Sequence, residues 1–161
     1  MKKTIALKTF LVLLSCVLLA PITVAQQASA PEKLAGTWTI VETPEIHPDG
    51  TRAQTFGPNP KGILMIDETG QYSLQLFQPV EPSEAATATA PPRMSSHFGH
   101  LFLDPAHGVI LFRIEQSSNP KWDGTEQKRQ YHLDGDVLTY QVPASANAAG
   151  ITAISTWRRV R

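Results

Sequence analysis

The chain has 161 residues, of which 42% are hydrophobic, and its 14 Lys and Arg residues balance its 14 Asp and Glu residues. Three of those lysines (Lys2, Lys3 and Lys8) fall within the first ten residues, so the remainder of the chain is slightly acidic. A slightly acidic domain lacks the basic surface that nucleic acid or an anionic membrane requires, and we expect neither as a partner.

The first 25 residues have the layout of a secretory signal peptide. Their basic start is followed by an apolar run from Phe10 to Ala20 and by a small residue at Ala25. This run is too short to span a bilayer as a helix of the mature protein. We therefore predict cleavage after Ala25, export to the periplasm or the medium, and a single mature domain at 26–161.

Lipid anchoring at Cys16 is the alternative, because "LLSC" loosely resembles a lipoprotein processing site. Cys16 is the single cysteine of the sequence. After ordinary cleavage the mature domain would contain no disulfide, and its stability would depend on its hydrophobic core.

From Leu34 onward, short alternating or apolar runs bounded by Gly, Pro, Asp and Asn predict an all-β domain of about eight strands. "LAGTWTIVE" predicts the first strand and is followed by a Pro- and Gly-rich loop. Three hairpins turn at "DETG", "DPAHG" and "DGD", and "ISTWRRV" is the last strand. Successive hairpins favour an antiparallel up-and-down barrel, with a β-sandwich as the alternative.

The segment "VEPSEAATATAPPRMSS" between the first two hairpins has no core face. We predict a flexible Pro/Ala/Thr-rich loop there, at about 79–95. It would be either a simple connector or a flap over one mouth of the barrel.

The order and spacing of five sequence blocks resemble the lipocalin-like domain family of small, mostly bacterial barrel proteins. The blocks are "LAGTW", "GPNPKGILMIDETGQYSLQL", "FGHLFLD", "NPKWDGTEQKRQYHLDGDVLTY" and "TWRRV". The "GTW" is also similar to the Gly-x-Trp of lipocalins proper. That resemblance implies a structural role for Gly36 and Trp38 at the closed end of the barrel, with Arg159, or failing that Arg158, stacked on the indole.

The third hairpin begins with a strand that places a cation among apolar residues. At period two, Gln127, Arg129, Tyr131 and Leu133 share one face, and Glu126, Lys128, Gln130 and His132 share the other. The second set is typical of a solvated face, so we expect the first to point into the barrel. Neighbouring strands and the preceding loop complete a mainly apolar and aromatic interior, which is typical of a small-molecule pocket. The candidate ligand-binding residues are Arg129, Gln127, Tyr131, Tyr72, Leu74, His97, Leu101, Trp122 and Tyr140.

An arginine in that setting keeps its charge and needs a partner. The sequence leaves four possibilities open. An interior acid such as Glu115 could pair with it, water could join it to tyrosine hydroxyls and Gln127, a ligand could supply an anionic group, or Arg129 could lie at a wet rim.

Catalytic and metal motifs are not evident in the sequence. His97 and His100 fall on opposite faces of one strand, so we assign no metal, no cofactor and no catalytic residue. The leading hypothesis is an exported monomer that binds a small hydrophobic or amphipathic molecule, with an anionic group as one option for its polar end. One alternative is a cyclase or isomerase that uses the same pocket, which the resemblance implies because a few similar proteins look like catalysts of ring-forming or rearranging steps. The other is an envelope interaction or inhibitor protein with a filled core.

Overall fold

The computed structural model describes residues 32–80, 93–146 and 149–161, and most of them lie in β-strands. The strands are β1 (Gly36–Glu42), β2 (Pro44–Ile46), β3 (Arg52–Gln54), β4 (Lys61–Ile66), β5 (Gln71–Phe77), β6 (Met94–Asp104), β7 (Val109–Ser117), β8 (Glu126–Asp134), β9 (Val137–Val142) and β10 (Thr152–Arg159). Single 3₁₀ turns lie at Glu32–Leu34, Pro120–Trp122 and Ala144–Ala146. In this part of the chain there is no helix with the length and apolar character needed to cross a membrane.

Eight of the strands form a closed antiparallel barrel, which confirms the predicted architecture. β1 pairs with β4, strands β4 to β10 pair in succession, and β10 pairs again with β1. At the closure, Trp38 is opposite Leu64 on one side and Arg159 on the other. Because a closed barrel has no free sheet edge and a single continuous ladder, the sandwich alternative is wrong.

The Pro- and Gly-rich segment after β1, predicted as a loop, contains the two remaining strands. β2 and β3 form a short hairpin in which Glu45 is opposite Ala53, and β2 also pairs with the start of β10. The buried Thr43 anchors this hairpin, because its Oγ1 accepts a hydrogen bond from the backbone N–H of Phe56 at 3.3 Å. Each strand has three residues and none is fully buried, so the sequence carries no alternation that would reveal them.

The inward side chains of the barrel strands form one core, as the period-two pattern requires. The buried members on these strands are Trp38, Ile40, Leu64, Ile66, Tyr72, Leu74, Leu76, Leu101, Leu103, Ile110, Phe112, Ile114, Leu138, Tyr140 and Trp157. Partly buried side chains, among them Trp122 and Tyr131, pack against this cluster.

Leu34, Trp38 and Arg159 close one end of the barrel. Leu34 and Trp38 are fully buried, and the indole N–H of Trp38 donates to the carbonyl oxygen of Leu34 at 2.9 Å. Arg159 Cζ lies 4.1 Å from the centroid of the Trp38 ring, the contact that the resemblance implies. The guanidinium also approaches Gly36 so closely that a Cβ there would lie 3.0 Å from Arg159 Nη1.

Two predictions lie wholly or partly outside the described residues. The signal peptide at 1–25 lies entirely outside them. Residues 81–92 of the predicted loop at about 79–95 also lie outside, whereas Met94 and Ser95 already belong to β6.

Candidate functional site

β8 directs Arg129 into the barrel. Arg129 is only 6% exposed, and Gln127, Tyr131 and Leu133 on the same face are half-buried. The alternate residues Glu126, Lys128, Gln130 and His132 are all exposed. The two faces therefore divide as the sequence pattern predicts.

The position of Arg129 along the barrel follows from the strand register. Asp134, at the end of β8, is opposite Val137. Val137 is in turn opposite Arg158, which lies at the closed end of the barrel. The start of β8 therefore lies toward the opposite end, next to the half-buried Trp122. Arg129 lies between that end and the apolar core.

A polar pair from β5 and β6 accompanies Arg129 in the interior. The Tyr72 hydroxyl lies 2.9 Å from Nδ1 of His97, and both residues are buried. Rings surround this pair with edge-on contacts: the centroid of the Phe112 ring is 5.1 Å from that of Tyr72 and 5.8 Å from that of His97. Edge-on aromatic contacts of this kind hold rings in fixed orientations.

Phe112 links the pair to the rest of the cluster. Arg129 Cζ lies 5.8 Å from the centroid of the Phe112 ring, and the Tyr140 centroid lies 5.5 Å from it. The centroid of the Trp122 ring lies 6.0 Å from the centroid of the His97 ring. We call Tyr72, His97, Phe112, Arg129 and Tyr140 the interior cluster.

The guanidinium of Arg129 has no acidic partner in the described part of the chain. Its Nη2 donates to Gln127 Oε1, two residues away on the same strand. Glu115, our candidate for an interior acid, is instead 56% exposed by side chain and lies 3.8 Å from His100 on the outer surface. The expectation of an internal pair with Glu115 is therefore wrong, because Ile110, Phe112 and Ile114 occupy the inward positions of β7.

Burial sets the charge states of the cluster. Burial raises the pKa of Tyr140 to about 12 and also raises the pKa of Tyr72 above its ordinary value. Burial, with a smaller contribution from the Arg129 charge, lowers the pKa of His97 to about 4. Burial also lowers the pKa of Arg129, but an arginine stays protonated at neutral pH. Arg129 is thus the one charged member of the interior cluster at neutral pH.

The depressed pKa of His97 predicts a loss of stability in mild acid. His97 binds a proton near pH 6.5 in the unfolded chain but only near pH 4 in the fold. The free energy of unfolding is therefore unaffected by His97 above pH 6.5. It decreases by about 3 kcal/mol as the pH falls from 6.5 to 4, because the unfolded chain binds the proton first.

We expect His97→Gln, which can still accept a hydrogen bond from Tyr72, to remove that part of the pH dependence. Urea unfolding of both proteins at pH 7 and pH 4.5 measures it. Equal losses in the two proteins would show that carboxylates alone cause the acid sensitivity.

The remaining predicted site residues occupy two kinds of position. Leu74 and Leu101 are buried in the apolar core, and Leu101 is opposite the interior-cluster residue Phe112. Tyr131 is opposite Tyr140 and half-buried, and Trp122 lies on the 3₁₀ turn before β8. Their role in ligand binding stays a prediction.

Phe112, at the centre of the interior cluster, is absent from the predicted site residues. It lies within "VILFRIE", whose continuous apolar start hides the alternation. The signal was present in Arg113 and Glu115, since two charged residues at alternate positions mark the outward face and place Phe112 and Ile114 on the inward one.

The other histidines contribute to the outer surface. His47 lies 3.2 Å from Glu45 Oε1, and His107 lies 2.7 Å from Asp104 Oδ2. Within residues 32–80, 93–146 and 149–161, no group of three or more His, Cys, Asp or Glu side chains is arranged to hold a metal ion.

Comparison with known proteins agrees with this geometry. A model of the lipocalin-like domain matches residues 35–160. A 4'-hydroxy-3'-methoxypropiophenone carrier protein of Aspergillus oryzae is 36% identical over 53 residues, which are 32% of this chain and 48% of that protein. The match thus spans about half the length of that relative. No solved structure gives a significant match.

Proposed function

Because the chain belongs to the lipocalin-like domain family, we propose that it is an exported monomeric barrel that binds a small, mainly apolar or amphipathic molecule in its interior. Arg129 holds the polar end of that molecule. The aromatic side chains of the interior cluster pack against its apolar body.

The observation that carries this proposal is the buried guanidinium of Arg129, which has no acidic partner among the described residues. Arg129 is 6% exposed, and in the described residues its side chain is hydrogen-bonded to the neutral Gln127. An uncompensated buried charge costs several kcal/mol. A protein that needed only a solid core would be more stable with an apolar residue at that position, whereas a binding site has a use for the charge.

The relative with a named cargo supports the same reading. The name of that relative describes a carrier for an aromatic ketone that also bears a hydroxyl and a methoxy group. A molecule of that kind combines an aromatic body with polar oxygens, which suits aromatic walls and a few hydrogen-bond donors. That this chain binds a molecule of the same kind is our proposal.

We place the ligand entrance at the start of β8. Gln127 and Trp122 are half-buried there.

Native mass spectrometry of the protein recovered from the periplasm or medium tests the proposal. We expect a chain that begins at Gln26 and carries a small molecule, or that binds added 4'-hydroxy-3'-methoxypropiophenone. Arg129→Leu should lose the bound molecule. Arg113→Leu is the matched control, because Arg113 is exposed and paired with Glu126 at 2.8 Å on the outer surface.

A wild-type protein that carries no ligand and does not bind the added ketone would favour the alternative of an interaction or inhibitor protein. A chain retained in the cytoplasm with residues 1–25 attached would contradict export alone.

An enzyme is the second candidate, and one observation favours it. His97 is neutral at physiological pH, contacts Tyr72 and lies in the field of the Arg129 charge. Such a group could remove a proton next to a carbonyl that Arg129 polarises. However, a pKa of about 4 makes His97 a weak base, and we favour binding. Deuterium uptake beside the carbonyl of a bound ketone, abolished in His97→Gln, would reverse that preference.

A further inference from the structure

We propose that the interior takes its ligand as an aromatic monoanion and favours the ionised form of a weak acid over the neutral one. This inference rests on the proposed function, because it specifies the charge state of the molecule that the barrel binds.

Among the described residues, the groups around Arg129 are hydrogen-bond donors and rings, without an acid. Each barrel strand from β5 to β9 contributes an inward side chain near it, and none of the described contributors is Asp or Glu. They are Tyr72, His97, Phe112, Gln127, Tyr131 and Tyr140. Glu115 is an acid whose charge affects Tyr72 of the cluster, but its side chain lies 3.8 Å from His100 outside the barrel.

A single positive charge sets the charge of the best ligand. Tyr72, Tyr140 and His97 stay neutral at physiological pH, so they act as hydrogen-bonding groups and not as counter-ions. One guanidinium is balanced by one negative charge. A second negative charge would have no partner, and a ligand cation would meet Arg129 directly.

The rings around the guanidinium favour an aromatic body. The centroids of Tyr72, His97 and Tyr140 all lie within 6 Å of the Phe112 centroid, and Trp122 extends the row toward the mouth. Fixed rings offer faces and edges to another ring. The same arrangement accepts an ionised phenol or an ionised carboxylic acid.

Two opposing effects decide the protonation of a weak acid bound there. Burial disfavours the anion, whereas a positive charge within about 4–6 Å lowers the pKa of the acid by about 1–3 units. Here the positive charge is already desolvated and has no acidic partner among the described residues, so ionisation of the ligand relieves the cost of both groups. We expect a net decrease of about one pKa unit, which is about a tenfold preference for the anion at a given pH.

The experiment uses 4-nitrophenol, whose anion is yellow, and 4-nitroanisole, a probe of similar size that cannot ionise. Quenching of tryptophan emission reports the binding of each probe to the mature protein. A pH titration of the absorbance of protein-saturated 4-nitrophenol gives its pKa in the site. We expect the yellow form to persist about one pH unit lower than in free solution.

Variants identify the group responsible. Arg129→Met should raise the pKa of the bound probe to its ordinary value or above, because burial alone then acts on it, or should abolish its binding with 4-nitroanisole still bound. Arg129→Lys should keep part of the effect. Arg113→Met should behave as wild type. 4-Nitrobenzoate and 4-nitrobenzamide form a second pair, and a preference for the benzoate that depends on Arg129 supports the carboxylate source.

The possible results distinguish failure of this inference from failure of the proposed function. Binding of both 4-nitroanisole and 4-nitrophenol, with the phenol bound neutral and the benzoate not preferred, overturns the inference and leaves the binding function intact. Failure of every probe to bind contradicts both. The wild-type titration is decisive even if Arg129→Met does not fold.

Discussion

Trp38→Ala is expected to destabilise the barrel by about 3–5 kcal/mol, the cost typical of removing a fully buried large aromatic side chain. Trp38 is 0% exposed and closes the barrel end with Leu34 and Arg159. The substitution would also leave the Leu34 carbonyl without the indole donor and remove the ring beneath the Arg159 guanidinium. Urea unfolding at neutral pH, followed by circular dichroism, measures the loss.

The same substitution at Trp122 is the matched control. Trp122 is half-buried, and its side chain packs on the edge of the core and on His97. We expect Trp122→Ala to cost about 1 kcal/mol, because truncating a half-buried ring exposes less apolar surface than truncating a fully buried one. Similar losses at the two positions would show that Trp38 does not close the barrel end in the way we describe.

Arg159→Ala separates the stacking from the packing of the indole. A guanidinium over an indole contributes about 0.5–2 kcal/mol. Arg159 also donates to the carbonyl oxygens of Ala35 at 2.5 Å and Lys33 at 2.8 Å. Its loss should therefore be clearly smaller than that of Trp38→Ala.

The barrel could be predicted from the sequence because its strands alternate cleanly. "EQKRQYHLD" places every polar and charged residue except Gln127 and Arg129 on one side, so the inward direction of Arg129 follows from period two alone. β2 and β3 could not be found, since a three-residue strand without a buried residue leaves no periodic signal. They exist because β10 extends beyond the end of β1 and pairs with β2 there.

The partner of Arg129 could not be predicted, because it depends on which strands meet and in which register. β6 and β7 meet with a bulge next to Gly99, where a Cβ would lie 2.1 Å from the carbonyl oxygen of Arg113. At this irregularity Glu115 lies on the outside with His100. A sequence pattern assigns a face to each residue, but it does not measure the distance between residues on different strands.

Arg129→Met is the substitution with the most informative effect, because it should change stability and binding in opposite directions. Met has a similar length and flexibility and no charge. Removing a buried cation without an acidic partner should leave stability unchanged or increase it by about 1–2 kcal/mol. Binding of an anionic aromatic probe should weaken at least about thirtyfold, since truncating one member of a buried charged pair costs about 2–5 kcal/mol.

Unfolding in urea and titration with 4-nitrobenzoate measure the two effects on the same preparations of Arg129→Met. Arg113→Met is the control: Arg113 is 56% exposed by side chain, so its loss should change stability by no more than about 0.5 kcal/mol and leave probe binding unaltered. A destabilised Arg129→Met variant that still binds the probe normally would identify Arg129 as an internal strut of the barrel. A stable variant that has lost the probe identifies a charge kept for a ligand, because the fold alone gains nothing from burying it.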